Sequence, residues 1–131
     1  MESIKKRFTL PKEERLCSHK ALEELFEGSN KSLLAYPIRA VYRQTEETGI
    51  RIMFSVSKRF FKRAVKRNRI KRQLREAYRL NKHLLQPASG GMNIAFLWNS
   101  NELLPTEKVM EKMKNLLNKI NDSVADISSV D

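Results

Sequence analysis

One segment of this sequence, from Lys58 to Lys82, concentrates positive charge strongly enough to constrain both the fold and the partner. It contains twelve Lys or Arg residues and one acid, Glu76. The rest of the chain carries fourteen basic and fourteen acidic residues, so the whole net charge of +11 comes from this window. Like charges at this density repel one another, and their concentration in one place therefore indicates a polyanionic partner.

The same segment keeps the apolar spacing of a helix. At about 100° per residue, seven positions of the predicted helix from Ala64 to Leu85 fall in a stripe a little over 100° wide, which begins at Ile70. The stripe consists of Ile70, Leu74, Ala77, Tyr78, Asn81, Leu84 and Leu85. Asn68, Arg72, Arg75 and Arg79 fall together on the opposite side. We therefore predict a helix that docks on a sheet with one side and presents its guanidinium groups outward with the other.

Strand patterns precede and follow this helix. SLLAYPIRAVYRQ is rich in β-branched and aromatic residues, and its Pro37 indicates an edge strand or a bulge. GIRIMFSVSK alternates, with Ile50, Ile52, Phe54 and Val56 on one side. Because the polar turn TEETG joins these two strands, we predict an antiparallel hairpin. MNIAFLWN reads as a third strand.

Two further helices complete the prediction. HKALEELFEG follows Ser18, a good N-cap, and LPTEKVMEKMKNLLNKI places its apolar residues on one face. Helices between strands favour an α+β sandwich, a sheet covered by helices. At 131 residues we expect one domain over 1–131, with residues 1–14 and 121–131 loose.

Composition limits the cellular setting. Cys17 is the only cysteine, which excludes an internal disulfide and suits a reducing cytosol. No apolar run approaches the length of a membrane span, and the basic N-terminus has no apolar stretch typical of a secretory signal. We therefore expect a cytoplasmic protein without a membrane partner.

The chemistry of the basic segment fits phosphate. Arginine presents a planar fork of donors to phosphate oxygens. One alternative is a solvated charged face, but such faces usually carry charges of both signs. Another is a helix that lies on anionic lipid, but the apolar stripe of this helix already has a partner in the predicted sheet. Asn68 either contacts RNA or caps the helix. Phe26, Tyr42 and Trp98 are more often core residues than ligand contacts.

Residues for catalysis are scarce. The sequence contains no HExxH, no glycine-rich phosphate loop and no clustered carboxylates. A nuclease acting alone needs metal-binding carboxylates or a general base. The sequence therefore favours a binding protein.

The segment FSVSKRFFKRAVKRNRIKRQLREAYR resembles the signature of the bacterial ribonuclease P protein subunit. The matching residues are Val56-Ser57-Lys58, then Ala64 to Arg72 without a gap, then Arg75-Glu76. Weaker similarity extends over most of the chain outside residues 1–14 and 121–131. The turn departs from the pattern, because Phe61-Lys62-Arg63 stands where many members have a glycine and an asparagine.

The resemblance implies a fold and a function that the spacing alone does not. The fold would be a single-domain α/β sandwich with a mainly antiparallel sheet and a left-handed βαβ crossover, related to a ribosomal protein domain. The protein would be the non-catalytic component of the endoribonuclease ribonuclease P. It would bind the catalytic RNA and the 5′ leader of precursor tRNA, as a monomer when free. Mg²⁺, bound mainly by the RNA, would serve the hydrolysis.

The resemblance also implies roles for individual residues. The RNA-binding residues would be Arg67, Asn68, Arg69, Lys71, Arg72 and Arg75. The leader-binding cleft would be lined by Phe26, Tyr42, Lys58 and Ala64. Two alternatives stay open: a structural RNA-binding protein of the ribosome or its assembly, and a nuclease that acts without an RNA partner.

Overall fold

The computed structural model of this chain describes Leu25 and residues 31–45, 49–85 and 91–130, with side chains as far as residue 123. Within these ranges the chain forms four strands and two α-helices. The strands are β1 (Lys31–Ala35), β2 (Ile38–Thr45), β3 (Gly49–Val56) and β4 (Gly91–Trp98). The helices are α1 (Ala64–Asn81), which is followed by a 3-10 turn (Lys82–Leu84), and α2 (Thr106–Val130).

The strands form one mixed sheet in the order β1-β2-β4-β3. β1–β2 and β2–β4 are antiparallel, and β3–β4 is parallel. The predicted hairpin between β2 and β3 is therefore wrong, because β4 lies between them. α1 makes the crossover between the two parallel strands, the connection for which the resemblance implies a left hand. Parallel neighbouring strands need a long connection of this kind. The turn sequence between β2 and β3 could not show that β4, which comes later in the sequence, lies between them in the sheet.

The first predicted strand is two strands. β1 and β2 pair with Ala35 opposite Ile38, so only Tyr36 and Pro37 lie in the turn between them. Their peptide bond is cis. The proline thus marks a tight turn, where we had expected an edge or a bulge within a single strand.

The main core lies between the sheet and both helices. Alternate residues of the strands point into it, including Ile38, Ala40, Ile52 and Ile94. Three aromatic rings pack α1 against the sheet: Tyr78 of α1, Phe54 of β3 and Phe96 of β4. The Phe54 centroid lies 5.8 Å from that of Phe96 and 6.2 Å from that of Tyr78. Trp98 is buried in this core, as predicted, and so are two methionines, Met92 and Met113.

The predicted stripe of α1 is confirmed. Its buried residues are Ile70, Leu74, Ala77, Tyr78 and Asn81. The Asn81 amide donates to the Ala77 carbonyl oxygen (2.8 Å), which satisfies a polar group inside the core. The α-helix ends at Asn81, and the last residues of the predicted helix form the 3-10 turn and Leu85.

α2 extends further than the sequence pattern indicated. Its buried face is the predicted one, with Val109, Met113, Leu116, Leu117 and Ile120 fully covered. The helix continues to Val130, so the expectation that residues 121–131 are loose is wrong for 121–130. Two side chains just past the predicted end explain part of this: Asn121 donates to the Leu84 carbonyl oxygen, and Ser123 accepts from Tyr42.

A smaller cluster covers the opposite face of the sheet, called the second face below. Leu25, which is helical and buried, packs there with Ala95, Val41, Met53 and Leu97. The remainder of the first predicted helix and residues 1–14 lie outside the described residues. Among the described helices, none combines the length and apolarity that crossing a bilayer requires.

Candidate nucleic-acid interface

The side of α1 that faces away from the sheet is a continuous basic surface. Asn68, Arg69, Arg72 and Arg75 are all exposed, and these four residues are called the outward surface below. They occupy this side because the buried stripe fixes the rotation of the helix about its axis. Val65, in the first turn, is 80% exposed beside them.

The outward surface has little negative charge to balance it. Glu76, the only acid of the window, forms an ion pair with Arg79 one turn further along the helix. The described residues 31–45 and 49–75 contain no Asp or Glu at all. The guanidinium groups of Arg69, Arg72 and Arg75 therefore present their donors to solvent in an uncompensated positive field, which favours phosphate.

Arg67 differs from the other arginines of the motif. It is half-buried, and its Nη1 donates to two carbonyl oxygens, those of Phe61 (2.7 Å) and Lys62 (2.8 Å). These bonds tie α1 to the segment that precedes it. Because both use one terminal nitrogen, the Nε and Nη2 donors remain for another acceptor. The structure thus gives Arg67 a positioning role that the sequence did not reveal.

The N-terminus of α1 adds to the positive field. Arg63 is the N-cap residue and makes no side-chain capping bond, and the first turn contains no acid. The helix dipole therefore places its positive end among Lys62, Arg63 and Lys66. Asn68 lies in the second turn and is exposed, so it does not cap this helix.

The turn between β3 and α1 accommodates its unusual sequence. The Phe60 and Phe61 amides both donate to the Ser57 carbonyl oxygen (3.1 and 3.3 Å). Among the described residues no side-chain-bearing position has a positive φ, so this path does not require the glycine found in many relatives of the motif. The Arg59 guanidinium stacks 4.9 Å above the Phe60 ring. Lys58 and Arg59 are thereby held exposed at the end of the sheet.

The four residues predicted to line a leader-binding cleft are not placed alike. Lys58 and Ala64 are exposed at the two ends of the turn before α1. Phe26 lies outside the described residues, next to the buried Leu25. Lys71, one of the predicted RNA-binding residues, is half-buried on the flank of α1.

Tyr42 requires a correction. Its side chain is 2% exposed and lies in the main core, on the helix side of the sheet. Its hydroxyl donates to Ser123 Oγ (2.5 Å). The alternation of β2 places it on the same face as Ile38 and Ala40, and the prediction that it lines a cleft is therefore wrong. The simpler interpretation, a core tyrosine, is correct.

Three arginines that sequence reasoning did not single out lie on the second face. Arg39, Arg43 and Arg51 occupy strand positions that alternate with the core residues of β2 and β3. The Arg39 Nε donates to Ser32 Oγ across the β1–β2 pair (2.7 Å). The absence of acids from residues 31–45 could have identified this surface. It was missed because charges were counted together over all residues outside the Lys58–Lys82 segment, where bases and acids are equal in number.

The described residues form no cluster of three or more His, Cys, Asp and Glu side chains. The groups at the outward surface are guanidinium and carboxamide, and hard cations such as Mg²⁺ take oxygen ligands instead of cationic donors. The chemistry that the arrangement can perform is anion binding.

Comparison with known proteins agrees with this geometry. The family model described as Ribonuclease P matches residues 10–121. The ribonuclease P protein component of Porphyromonas gingivalis is 42% identical over 124 residues, covering 89% of this chain and 90% of the relative. This chain belongs to the ribonuclease P protein family. The family model covers both the turn and the whole of α1, so the outward surface lies within the family's common region.

Solved structures support the same assignment. The ribonuclease P protein of Thermotoga maritima superposes with a TM-score of 0.67 at 27% identity, over 81% of this chain and 96% of that one. A Staphylococcus aureus ribonuclease P protein gives 0.65 at 19% identity, over 82% and 94%, which shows a shared fold. The α+β fold with its mixed four-stranded sheet is therefore that of bacterial ribonuclease P proteins. Membership makes the chain a component of a ribonuclease with a role in tRNA processing.

Proposed function

We propose that this chain is the RNA-binding, non-catalytic protein subunit of a ribonuclease P holoenzyme. In this proposal it binds the catalytic RNA and the 5′ leader of precursor tRNA and promotes cleavage at the mature 5′ end. The observation that carries the proposal is the outward surface of α1, where exposed arginines have no acidic partner within the described part of the chain.

The proposal assigns distinct tasks to neighbouring groups. Arg69, Arg72 and Arg75 bind phosphate oxygens of the catalytic RNA, and Asn68 hydrogen-bonds a ribose, a base edge or a bound water. Arg67 holds the preceding turn with one nitrogen and offers its remaining edge to a phosphate. Lys58 and Arg59 are the cations of the turn that meet the leader.

Hydrolysis in this proposal belongs to the RNA and its Mg²⁺. The outward surface consists of guanidinium groups and one carboxamide; the guanidinium groups attract phosphate and repel a divalent cation. Its contribution is to bind and orient RNA and to reduce the repulsion between two polyanions. That reduction lets the holoenzyme work at Mg²⁺ concentrations too low for the RNA alone. We also propose that the free protein is a monomer and acts in the cytoplasm.

The test is cleavage of precursor tRNA at low Mg²⁺ by the ribonuclease P RNA alone, by this protein alone, and by the two together. We expect cleavage at the mature 5′ end only in the mixture. Tight RNA binding without any stimulation would instead identify a structural RNA-binding protein. Cleavage by the protein alone would mean that the active site lies in the protein, and would overturn the proposal.

A matched pair of variants makes the test specific. Arg72→Ala removes a charge from the outward surface, whereas Lys114→Ala removes one from an exposed position on α2. The first variant should stimulate cleavage less than the wild type does at low Mg²⁺. Stimulation should return when the concentration of Mg²⁺ or of the protein is raised. The second should behave as the wild type does.

A further inference from the structure

Tyr36 is the one exposed aromatic side chain among the described residues. It is 60% exposed and occupies the first position of the two-residue turn between β1 and β2. A large ring at the tip of an exposed turn lies outside the core of the domain. Leu34, which is 49% exposed, precedes it by two residues.

The turn shares one end of the sheet with the basic segment after β3. Ile38, which follows the turn, pairs with Trp98 at the end of β4, and Trp98 pairs with Val56 at the end of β3. The Asn99 amide, just beyond β4, donates to the Pro37 carbonyl oxygen (2.7 Å). The strand ends next to Tyr36, Asn99 and Lys58 therefore lie side by side, in that order, at one end of the sheet. We call this the Lys58 end.

The distances suit a short stretch of nucleic acid. Neighbouring strands are about 4.8 Å apart, so the ends of β2 and β3 are separated by roughly 10 Å. A few nucleotides of a single strand can bridge this span. At one side of it lie the exposed cations Lys58 and Arg59, and at the other lies the exposed ring.

Charge at this end also favours a polyanion. Arg39, which follows Ile38 at this end, is exposed, and none of the three strands β1, β2 and β3 contains an acid; Lys31, Arg43 and Arg51 lie toward the opposite end. The nearest acids in sequence to this end of β4 are Glu102, in the segment that leads into α2, and Glu107, in the first turn of α2. Glu107 lies on α2, which packs on the core side of the sheet.

We propose that Tyr36 is a stacking platform for an unpaired base of an RNA strand whose backbone is bound by Lys58 and Arg59. The proposal rests on the proposed function, and it adds a contact and a strand path to it. Base–aromatic stacking is tolerant of sequence, which suits a partner whose sequence varies. The geometry assigns this path to the Lys58 end of the sheet, while the outward surface of α1 remains available for structured RNA.

The experiment compares variants of the full chain on two RNA probes of equal length, a single-stranded oligonucleotide and a duplex. Tyr36→Ser should weaken binding of the single strand by about five-fold or more, the lower bound for loss of one stacked base. Tyr36→Phe keeps the ring and should bind within about two-fold of the wild type. Duplex binding should not change in either variant, because a duplex offers no unpaired base.

A second readout reports stacking itself. A single strand that carries 2-aminopurine should lose fluorescence on binding the wild type and Tyr36→Phe, but much less on binding Tyr36→Ser. Leu34→Ser, which removes a neighbouring apolar group without a ring, should bind and quench as the wild type does. Thermal unfolding of each variant checks that the exposed substitutions leave the fold intact.

Three outcomes would overturn the inference in different ways. Wild-type affinity and quenching in Tyr36→Ser, together with weakened RNA binding in Arg72→Ala, would reject the stacking platform and leave the proposed function standing. Equal loss of single-strand binding in Leu34→Ser would show that the apolar character of this turn, and not the aromatic ring, determines RNA affinity, and would reject the stacking platform. Failure of the wild type to bind either RNA probe or the ribonuclease P RNA would reject both proposals.

Discussion

The two helices α1 and α2 have the same structural task and very different surfaces. Both lie on the same face of the sheet and bury a stripe of apolar residues in one core. The described side chains of α2 include three acids and four bases, and Lys108 lies 3.8 Å from Glu111. α1 carries seven bases and one acid, and that acid is paired with Arg79.

This difference distinguishes the residues that stabilise the fold, which are the apolar stripes of both helices, from those available to a partner, which are the charges on the outer side of α1. A helix that only covers a sheet is most stable with mixed charges on its outer side, as in α2, because unlike charges one turn apart attract. The outer side of α1 lacks that stabilisation because nearly all of its charges are positive. The inner faces should therefore respond alike to mutation, and only the outer face of α1 should respond in RNA binding.

The largest effects should come from the inner faces. Leu74→Ala in α1 and Leu117→Ala in α2 both remove a side chain with no exposed surface. Each should lower the free energy of unfolding by about 2–5 kcal/mol, through lost burial and the cavity left behind. Denaturant unfolding monitored at Trp98 measures both. The exposed Val65→Ala is the control and should cost less than about 0.5 kcal/mol.

A much smaller loss in Leu74→Ala than in Leu117→Ala would break the comparison. It would mean that α1 is held on the sheet mainly by contacts other than its apolar stripe.

Arg67→Ala should come next, because it removes two hydrogen bonds that join α1 to the preceding turn. We expect a loss of about 1–2 kcal/mol in unfolding free energy, the range for two partly solvated bonds from a charged donor. Amide hydrogen exchange should also quicken between residues 59 and 63. Arg69→Ala, at an exposed position in the same motif, should leave both measurements near wild type.

Equal stability of Arg67→Ala and Arg69→Ala would remove the distinction between the two arginines. In that case the two hydrogen bonds of Arg67 would have no special role in holding the turn.

Arg72→Ala should leave the fold intact and weaken RNA binding about five- to ten-fold. The slope of the logarithm of affinity against the logarithm of salt concentration should become shallower by about 0.9 for a duplex contact or about 0.7 for a single-stranded one. Titration of the ribonuclease P RNA at several salt concentrations measures the slope. Lys114→Ala on α2 should change neither the affinity nor the slope.

The smallest effect should come from Tyr42→Phe. Loss of the bond from the hydroxyl to Ser123 should cost about 0.5–1.5 kcal/mol of unfolding free energy. Because the ring is buried on the core side of the sheet, binding of a single-stranded leader should not change. A leader-affinity defect in a variant of wild-type stability would return Tyr42 to the cleft.

Local periodicity was sufficient to predict much of the fold. The start of α1 at Ala64, its buried stripe and the core face of β3 all follow from spacing that any single segment displays. Strand order could not be predicted in this way, because β4 joins the sheet between β2 and β3 only through the crossover made by α1. The break at Tyr36–Pro37 was also missed, since a strand-like sequence continues on both sides of it.

The candidate site was predicted where it depends on composition and missed where it depends on a specific contact. The exposure of Asn68, Arg72 and Arg75 follows from the rotation of a helix with a known buried stripe. Arg79 was predicted on the same side but is half-buried and paired with Glu76. The bonds from Arg67 to two carbonyl oxygens depend on the path of a turn that the sequence does not specify. Tyr42 was placed by similarity to a family, and the alternation of its own strand was the better guide.

The most direct test of the central claim is the salt dependence of binding to the ribonuclease P RNA for two double variants of equal charge. One is Arg72→Ala with Arg75→Ala on α1, and the other is Lys108→Ala with Lys114→Ala on α2. The slope should become shallower by about 1.4–1.8 for the α1 pair and remain at the wild-type value for the α2 pair. Equal changes in the two variants would show that RNA responds only to the net charge of the protein, and would contradict a binding surface on α1.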